Sequence, residues 1–391
     1  MQVQHTSSWL ELPDLCVLQV ATVSDGTLVV VVEGVATGAR CPKCSSWTNR
    51  VHQRRQQWVD DLPYNDRPRR LLLTRRRWRC GCCGYVFAEE LTSVARYRRM
   101  TARLELALFR RLRTRPTKAV AEEFRLGEGR VQRILERLGD REVQSRPQPK
   151  PKFLGVDEFA AKRGQVYNTV FVDLEERRIL DVVETREKKP VREHLKQYEK
   201  SVQAVCIDLN EAFRQAVRQA LPEAEIVADK FHVIRLANYA LNAVRKRVRR
   251  QIKGDRTHPI FRSRSVLLRN FEDLSSSQRK RLSQLLALSP ELRAAYAAKE
   301  RLRRWYNTST TENSSHRLAQ LISWLLASGV PELKHLATTF LRWQRELANY
   351  HRYRISNSIT EGLNNKIKVI KRQAYGFRSF ENFRRKILLA A

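Results

Sequence analysis

Residues 153–157 read Phe153-Leu154-Gly155-Val156-Asp157, a short apolar run closed by a carboxylate. The run is too short for a helix and suits a buried strand. A second such run, Val202-Gln203-Ala204-Val205-Cys206-Ile207-Asp208, also ends in aspartate. Between them, residues 167–173 and 179–184 read as second and third strands joined by a turn at 174–178, and 189–200 as a helix. After Asp208 the pattern predicts a helix over 211–220. A fifth strand follows, Glu225-Ile226-Val227-Ala228, then Asp229-Lys230-Phe231-His232 at the head of another helix.

Three strands able to pair antiparallel, then helix, strand, helix, strand, is the order of the RNase H-like α/β fold. In that order the first and fourth strands are central neighbours, so Asp157 and Asp208 lie side by side. A lone aspartate at a strand end is more often a turn residue. Two on adjacent strands repel unless a proton or cations intervene. Hard oxygen ligands without cysteine suit divalent magnesium and phosphate chemistry.

Upstream, Cys41-Pro42-Lys43-Cys44 and Cys80-Gly81-Cys82-Cys83 supply two C-x2-C pairs, Cys41 with Cys44 and Cys80 with Cys83, leaving Cys82 as an extra thiol. Four thiolates suit tetrahedral zinc. Strand-like segments between the pairs, including 69–79, and a returning strand Tyr85-Val86-Phe87 complete the plan of a zinc ribbon, and 27–35 reads as a separate strand. Arg75, Arg76, Arg77 and Arg79 on its hairpin are candidates to face phosphates, while Cys16 and Cys206 stand alone as small buried hydrophobes. Residues 101–113 predict a helix. Thr117 is placed to cap a second, and Leu126-Gly127-Glu128-Gly129 makes a turn before a third with Val131, Ile134, Leu135 and Leu138 on one face. That is a helix-turn-helix, or equally a plain helical hairpin; beside a basic ribbon, DNA binding is the better reading. Arg130, Gln132, Arg133 and Arg137 then lie on the exposed face of the last helix. Prolines at 147, 149 and 151 mark a linker.

Downstream of about 244 the chain is helical and very basic, and reads as an insertion before a final core helix. Its Trp305, Trp324 and Trp343 suit core positions, the alternative being stacking on an unpaired base. Ser358-Ile359-Thr360-Glu361 fits a capping box, and Ile359, Leu363, Ile367 and Ile370 give that helix an apolar face. Glu361, Asn365 and Lys368 share another face, and Asn364, Lys366, Lys371 and Arg372 add donors for a phosphate backbone. Spacing leaves Glu361 open as cap or metal ligand.

The chain has 391 residues and a net charge of +34, with basic residues along its whole length. That surplus calls for a polyanionic partner, DNA or a structural RNA. No apolar run reaches the ~20 residues of a bilayer helix. The start, MQVQHTSSWL, lacks the pattern of a secretory signal, and clustered cysteines point to metal in a reducing compartment.

Asp157-Glu158, Val227-Ala228-Asp229-Lys230-Phe231-His232, and the block from Ser356-Asn357 through Glu361-Gly362-Leu363-Asn364-Asn365-Lys366-Ile367-Lys368 are the most specific stretches. With Lys371-Arg372 and Tyr375-Gly376-Phe377-Arg378-Ser379-Phe380, they resemble DDE transposases of bacterial insertion sequences, the ISL3 family. The resemblance spans nearly the whole chain. It implies a multidomain α+β protein: a zinc ribbon over 1–95, a helix-turn-helix over 96–143, a linker over 144–152, and an RNase H-like core over 153–243. A helical insertion over 244–350 and a closing core helix within 351–391 complete it. It implies that Asp157, Asp208 and Glu361 hold two Mg²⁺, with Mn²⁺ able to substitute. Asp229 is the rival to Asp208, and otherwise forms an accessory pair with His232. Zinc would sit on Cys41, Cys44, Cys80 and either Cys83 or Cys82. It implies cleavage at terminal inverted repeats, transfer of the freed 3′ end into target DNA, and a homodimer or larger homo-oligomer at the bacterial nucleoid. The rival readings are a non-catalytic DNA-binding regulator descended from a transposase, a nuclease that never joins strands, and an RNA binder.

Overall fold

The computed structural model describes residues 8–162, 166–251, 258–374, 376–377 and 379–390; Tyr375 and Arg378 of the C-terminal motif lie outside them. The described residues form two compact units, one of residues up to 146 together with 370–390, the other of 147–369.

In the first unit, strands β1 (Leu15–Thr22), β2 (Leu28–Gly34), β5 (Val51–Tyr64), β6 (Arg67–Arg79) and β7 (Val86–Ala88) make one sheet, ordered β1-β2-β6-β5 with β7 on β6. Short strands β3 (Ala39–Arg40) and β4 (Trp47–Thr48) form a separate pair. β5 turns into β6 through Asn65 and Asp66, whose positive φ of 47° and 60° is the twist a two-residue hairpin needs. Leu71 and Leu73 of β6 face inward with Val30, Val32 and Val59. After Thr74 the buried phase of β6 shifts by one residue, which puts Arg76 and Trp78 at buried positions, and Arg76 is ion-paired with Glu89 there. Arg76 therefore does not face phosphate, contrary to the expectation for the hairpin. Trp78 gives the reason: residues two apart on a strand share a face.

Helices α1 (Ala102–Leu112), α2 (Thr117–Glu123) and α3 (Glu128–Ser145) pack through Leu104, Leu108, Leu112, Val120, Val131, Ile134 and Leu135. Thr117 is not a cap. The helix begins on it after Pro116, and its hydroxyl donates instead to Gln132 Oε1 at 3.0 Å. The C-terminal helix (Phe380–Ala390) packs on α3. Gly139 permits this approach, since a Cβ there would lie 2.8 Å from Arg385 Cδ. Arg385 pairs with Asp140 at 2.6 Å, and buried Lys386 donates to the Leu112 and Arg115 carbonyls at the end of α1.

In the second unit, β8 (Phe153–Lys162), β9 (Val166–Asp173), β10 (Arg178–Val183), β11 (Ala204–Ile207) and β12 (Glu225–Ala228) form a sheet ordered β10-β9-β8-β11-β12. β8 pairs antiparallel with β9, and β11 runs parallel to both β8 and β12. The parallel joins are crossovers through α4 (Lys188–Leu195) and α5 (Glu211–Ala220). Asn210 caps α5 by accepting from the Ala212 and Phe213 amides. β8 runs past Asp157 because β9 continues to pair with it, so Asp157 stands within the strand and not at its end.

α6 (Lys230–Gln251) is continuous through 244, so the helical region starts on a helix already under way. It continues as α7 (Arg264–Leu268), α8 (Ser276–Ala287), α9 (Pro290–Thr308), α10 (Thr311–Ala327), α11 (Pro331–Arg342) and α12 (Gln344–Tyr353). Ser275, Ser289 and Thr310 start three of these helices, with capping boxes at Ser275 and Thr310 and Pro290 in the first turn after Ser289. Trp305 and Trp343 are core residues, and Trp324 is half-buried under Arg301.

α13 (Ser358–Gln373) then lays its first turn on β8. Gly155 is what allows it. A Cβ at 155 would lie 2.8 Å from Asn357 Oδ1, 2.8 Å from Leu174 Cδ2 and 3.0 Å from Thr360 Oγ1. Gly155→Ala is expected to cost about 1–3 kcal/mol, as overpacking of a close contact does. Chemical unfolding of the variant measures it; an unchanged midpoint would mean that the helix does not sit there.

Candidate active site and metal centres

The two cysteine pairs sit on the loop between β3 and β4 and on the loop after β6. The sulfurs of Cys41, Cys44, Cys80 and Cys83 all lie within 4.8 Å of one another, with Cys41 to Cys83 at 3.6 Å and Cys44 to Cys80 at 3.5 Å. Cys82 is exposed and outside the quartet. Four convergent thiols fit tetrahedral zinc. Cys206 is buried in β11 as expected, whereas Cys16 is only half-buried and points its thiol to the Glu33 carbonyl.

The second centre is built at the sheet. β11 pairs with β8 as far as Ile207 opposite Val156, and the next residues on each chain are Asp208 and Asp157. Burial and the neighbouring Asp208 charge push the Asp157 carboxyl up to about 7, against the hydrogen bond it accepts from the Glu158 amide. Its other oxygen accepts from Asn364 Nδ2 of α13 at 2.8 Å. Asp229, at the end of β12, is buried and saturated by protein donors: the Asn357 amide at 2.9 Å, the His232 amide at 3.2 Å and His232 Nδ1 at 2.9 Å.

His232 Nδ1 also lies 2.7 Å from Asp208 Oδ1. Burial alone would lower this imidazole, but hydrogen bonding and the charges of Asp208 and Asp229 outweigh it and raise the ring to about 9. The aligned hydrogen bond goes to Asp229, which leaves Asp208 Oδ1 buried without one. A buried carboxylate oxygen with spare capacity, facing a second carboxyl that resists ionisation, is a donor set that suits a hard divalent cation.

Glu361 is exposed on α13, one turn before Asn364, and stands outside the group of Asp208, Asp229 and His232 whose ligand atoms lie within 4.8 Å. The capping-box reading also falls away. The helix starts at Ser358, and the Ser358 hydroxyl accepts from Ser356 at 3.0 Å. Asn357 is the residue that the sequence reading missed. Its amide reaches Asp229 and its side chain donates to the Val156 carbonyl at 3.2 Å.

The basic candidates divide. On β6, Arg75 donates to the Val94 carbonyl at 2.6 Å, Arg77 is half-buried and Arg79 is exposed. On α3, Arg130 pairs with Asp60, Arg137 with Glu105, and Gln132 bonds Thr117 and Glu136; Arg133 projects into solvent. On α13, Asn365, Lys366, Lys368 and Arg372 are exposed and Lys371 is half-buried.

Residues 154–387 match a family profile described as the ISL3 DDE transposase, 89–139 the helix-turn-helix domain of transposase family ISL3, and 37–83 the zinc-finger of transposase IS204/IS1001/IS1096/IS1165. The chain is 31% identical over 371 residues to the transposase for insertion sequence element IS1001 of Bordetella parapertussis, spanning 93% of this chain and 91% of that one. It is 27% identical over 253 residues to the transposase for insertion sequence element IS1557 of Mycobacterium tuberculosis, spanning 58% and 57%. Among the described residues no helix is long and apolar enough to cross a membrane.

The position of the thiols separates two neighbouring cysteines. Cys83→Ser is expected to remove most of the bound zinc from purified protein, and Cys82→Ser to leave it at the parent stoichiometry. Metal analysis by atomic absorption reads both, and equal loss would contradict the quartet.

Proposed function

We propose, for a chain that belongs to the ISL3 family of transposases, that it cuts DNA at the terminal inverted repeats of its element and joins the freed 3′ ends to target DNA. The observation that carries this is the placing of Asp157 beside Asp208 on adjacent strands, one carboxyl driven up and the other with a buried oxygen against the His232 ring. Asp157, Asp208 and Glu361 would hold two Mg²⁺, or Mn²⁺ in their place; when bound, they supply an activated water and stabilise the leaving 3′ oxygen.

The chain's own residues set up the rest. Asp229 is better read as a positioning residue than as a ligand, because its oxygens already accept from Asn357 and His232. His232 Nδ1 stands 2.7 Å from the same Asp208 oxygen, as its ion-pair partner. Asn364 orients Asp157, and Glu361 stands one turn before Asn364 on the same helix. Exposed Arg79, Arg133, Lys366, Lys368 and Arg372, with the half-buried Arg77 and Lys371, are the groups that would meet phosphates. Two ends must be held for joining, so the working form is a homodimer or larger assembly on DNA in the bacterial cytoplasm.

The test uses Mg²⁺-dependent nicking and joining of terminal-repeat DNA. Asp157→Asn, Asp208→Asn and Glu361→Gln are each expected to lose more than about a hundredfold in cutting, since metal activation contributes several kcal/mol. Affinity for uncut DNA should persist. Undiminished cutting by any of the three removes that residue from the site. A parent protein that binds but never cuts would be a regulator of transposase descent.

A further inference from the structure

The helix that carries His232 has an unusual solvent face. Phe231, Arg235 and Tyr239 follow one another at four-residue spacing on α6, and all are exposed, Phe231 by 51% and Tyr239 by 59%. The opposite face of the same helix supplies the core with Val233, Ala237 and Leu241. The Arg235 guanidinium carbon lies 5.9 Å from the Phe231 ring centre and 6.0 Å from that of Tyr239, so a planar cation stands between two rings. The stripe begins two residues after Asp229 and beside His232. At its far end Tyr239 walls a groove of about 510 Å³ with Leu236, Ala240, Pro331 and Leu336.

We propose that this stripe is a stacking platform for unpaired DNA bases next to the scissile phosphate. The inference rests on reading the neighbouring carboxylates as a DNA-cleaving site. Every base offers a π face, and rings and guanidinium planes accept it without regard to sequence. Four helical residues advance ~6 Å. That exceeds the ~3.4 Å rise of stacked bases in a duplex strand. The three groups therefore match bases splayed apart, as they are where a strand leaves its partner at a cut. The positive charge at Arg235 suits the phosphates between such bases and disfavours a second copy of this basic chain.

The experiment uses the full chain, a short oligodeoxynucleotide containing 2-aminopurine, and a blunt duplex of the same sequence. Phe231→Ala and Tyr239→Ala are each expected to weaken single-strand binding by about five- to a hundredfold. Both should relieve the change in 2-aminopurine emission and leave duplex affinity near that of the parent. Tyr239→Phe, which keeps the ring, should bind like the parent, whereas Arg235→Lys, which keeps the charge and loses the plane, should weaken the single strand alone. The proposal is overturned if the double alanine variant binds single strands as tightly as the parent. It is also overturned if that variant loses duplex and single strand equally, or if only its oligomeric state changes. A parent that stacks single strands but never cuts terminal-repeat DNA with Mg²⁺ would sink the cleavage reading and leave the platform standing.

Discussion

Everything in the catalytic unit follows from the parallel pairing of β8 with β11. The crossover through α4 returns the chain in the same direction, so Asp208, just past the end of β11, comes level with Asp157 within β8. The fold thereby sets Asp157 against Asp208 and raises the first carboxyl. Side chains of similar size without charge would pack there at less cost. A protein that keeps this arrangement has a use for it that stability does not supply. Polar partners arrive from elements far apart in the chain, His232 from α6 and Asn364 from α13.

Asn357 and Asp229 explain why α13 is in reach at all. One backbone amide and one side-chain amide of Asn357 join the end of β12 to the middle of β8. Gly155 leaves the space in which that residue sits. With its first turn fixed at two strands, α13 can move little at that end. Glu361 thus has a set backbone position, and the freedom left to it is that of its own side chain, which changes rotamer at small cost. In the proposed site, the exposed Glu361 would be the carboxylate that closes on a ligand held by the half-buried Asp157 and Asp208.

The α/β core was largely legible. Short apolar runs bounded by turns located all five strands, and the limits of α5 and β12 were read to the residue. The length of β8 was not, because residues after Asp157 owe their strand state to β9 and not to any apolar pattern of their own. The thiol quartet could be read from spacing, but not which of Cys82 and Cys83 joins it, since that depends on the turn's geometry. Asn357 escaped because an asparagine before a helix looks like an ordinary cap. The C-terminal helix Phe380–Ala390 was not assigned a partner in the sequence. Its inward residues include Lys386 and its neighbour is a glycine on α3, so nothing in its apolar pattern names the helix it covers.

Charge shows where sequence reading stops. An excess of 34 basic residues cannot all be hidden, because a buried cation without a partner is too costly. The partner class therefore follows from composition, whereas the contact residues do not. Arg76 and Arg79 are three apart on one strand, yet the first is locked to Glu89 and the second is in solvent. Arg130 and Arg133 on α3 differ in the same way, the first held by Asp60. In each pair the inward arginine has an acid on a neighbouring element. The outward one has none among the described residues, and that is what leaves it available to a phosphate. Acidic residues in this chain thus decide which basic residues are structural, and the surplus defines the surface offered to DNA.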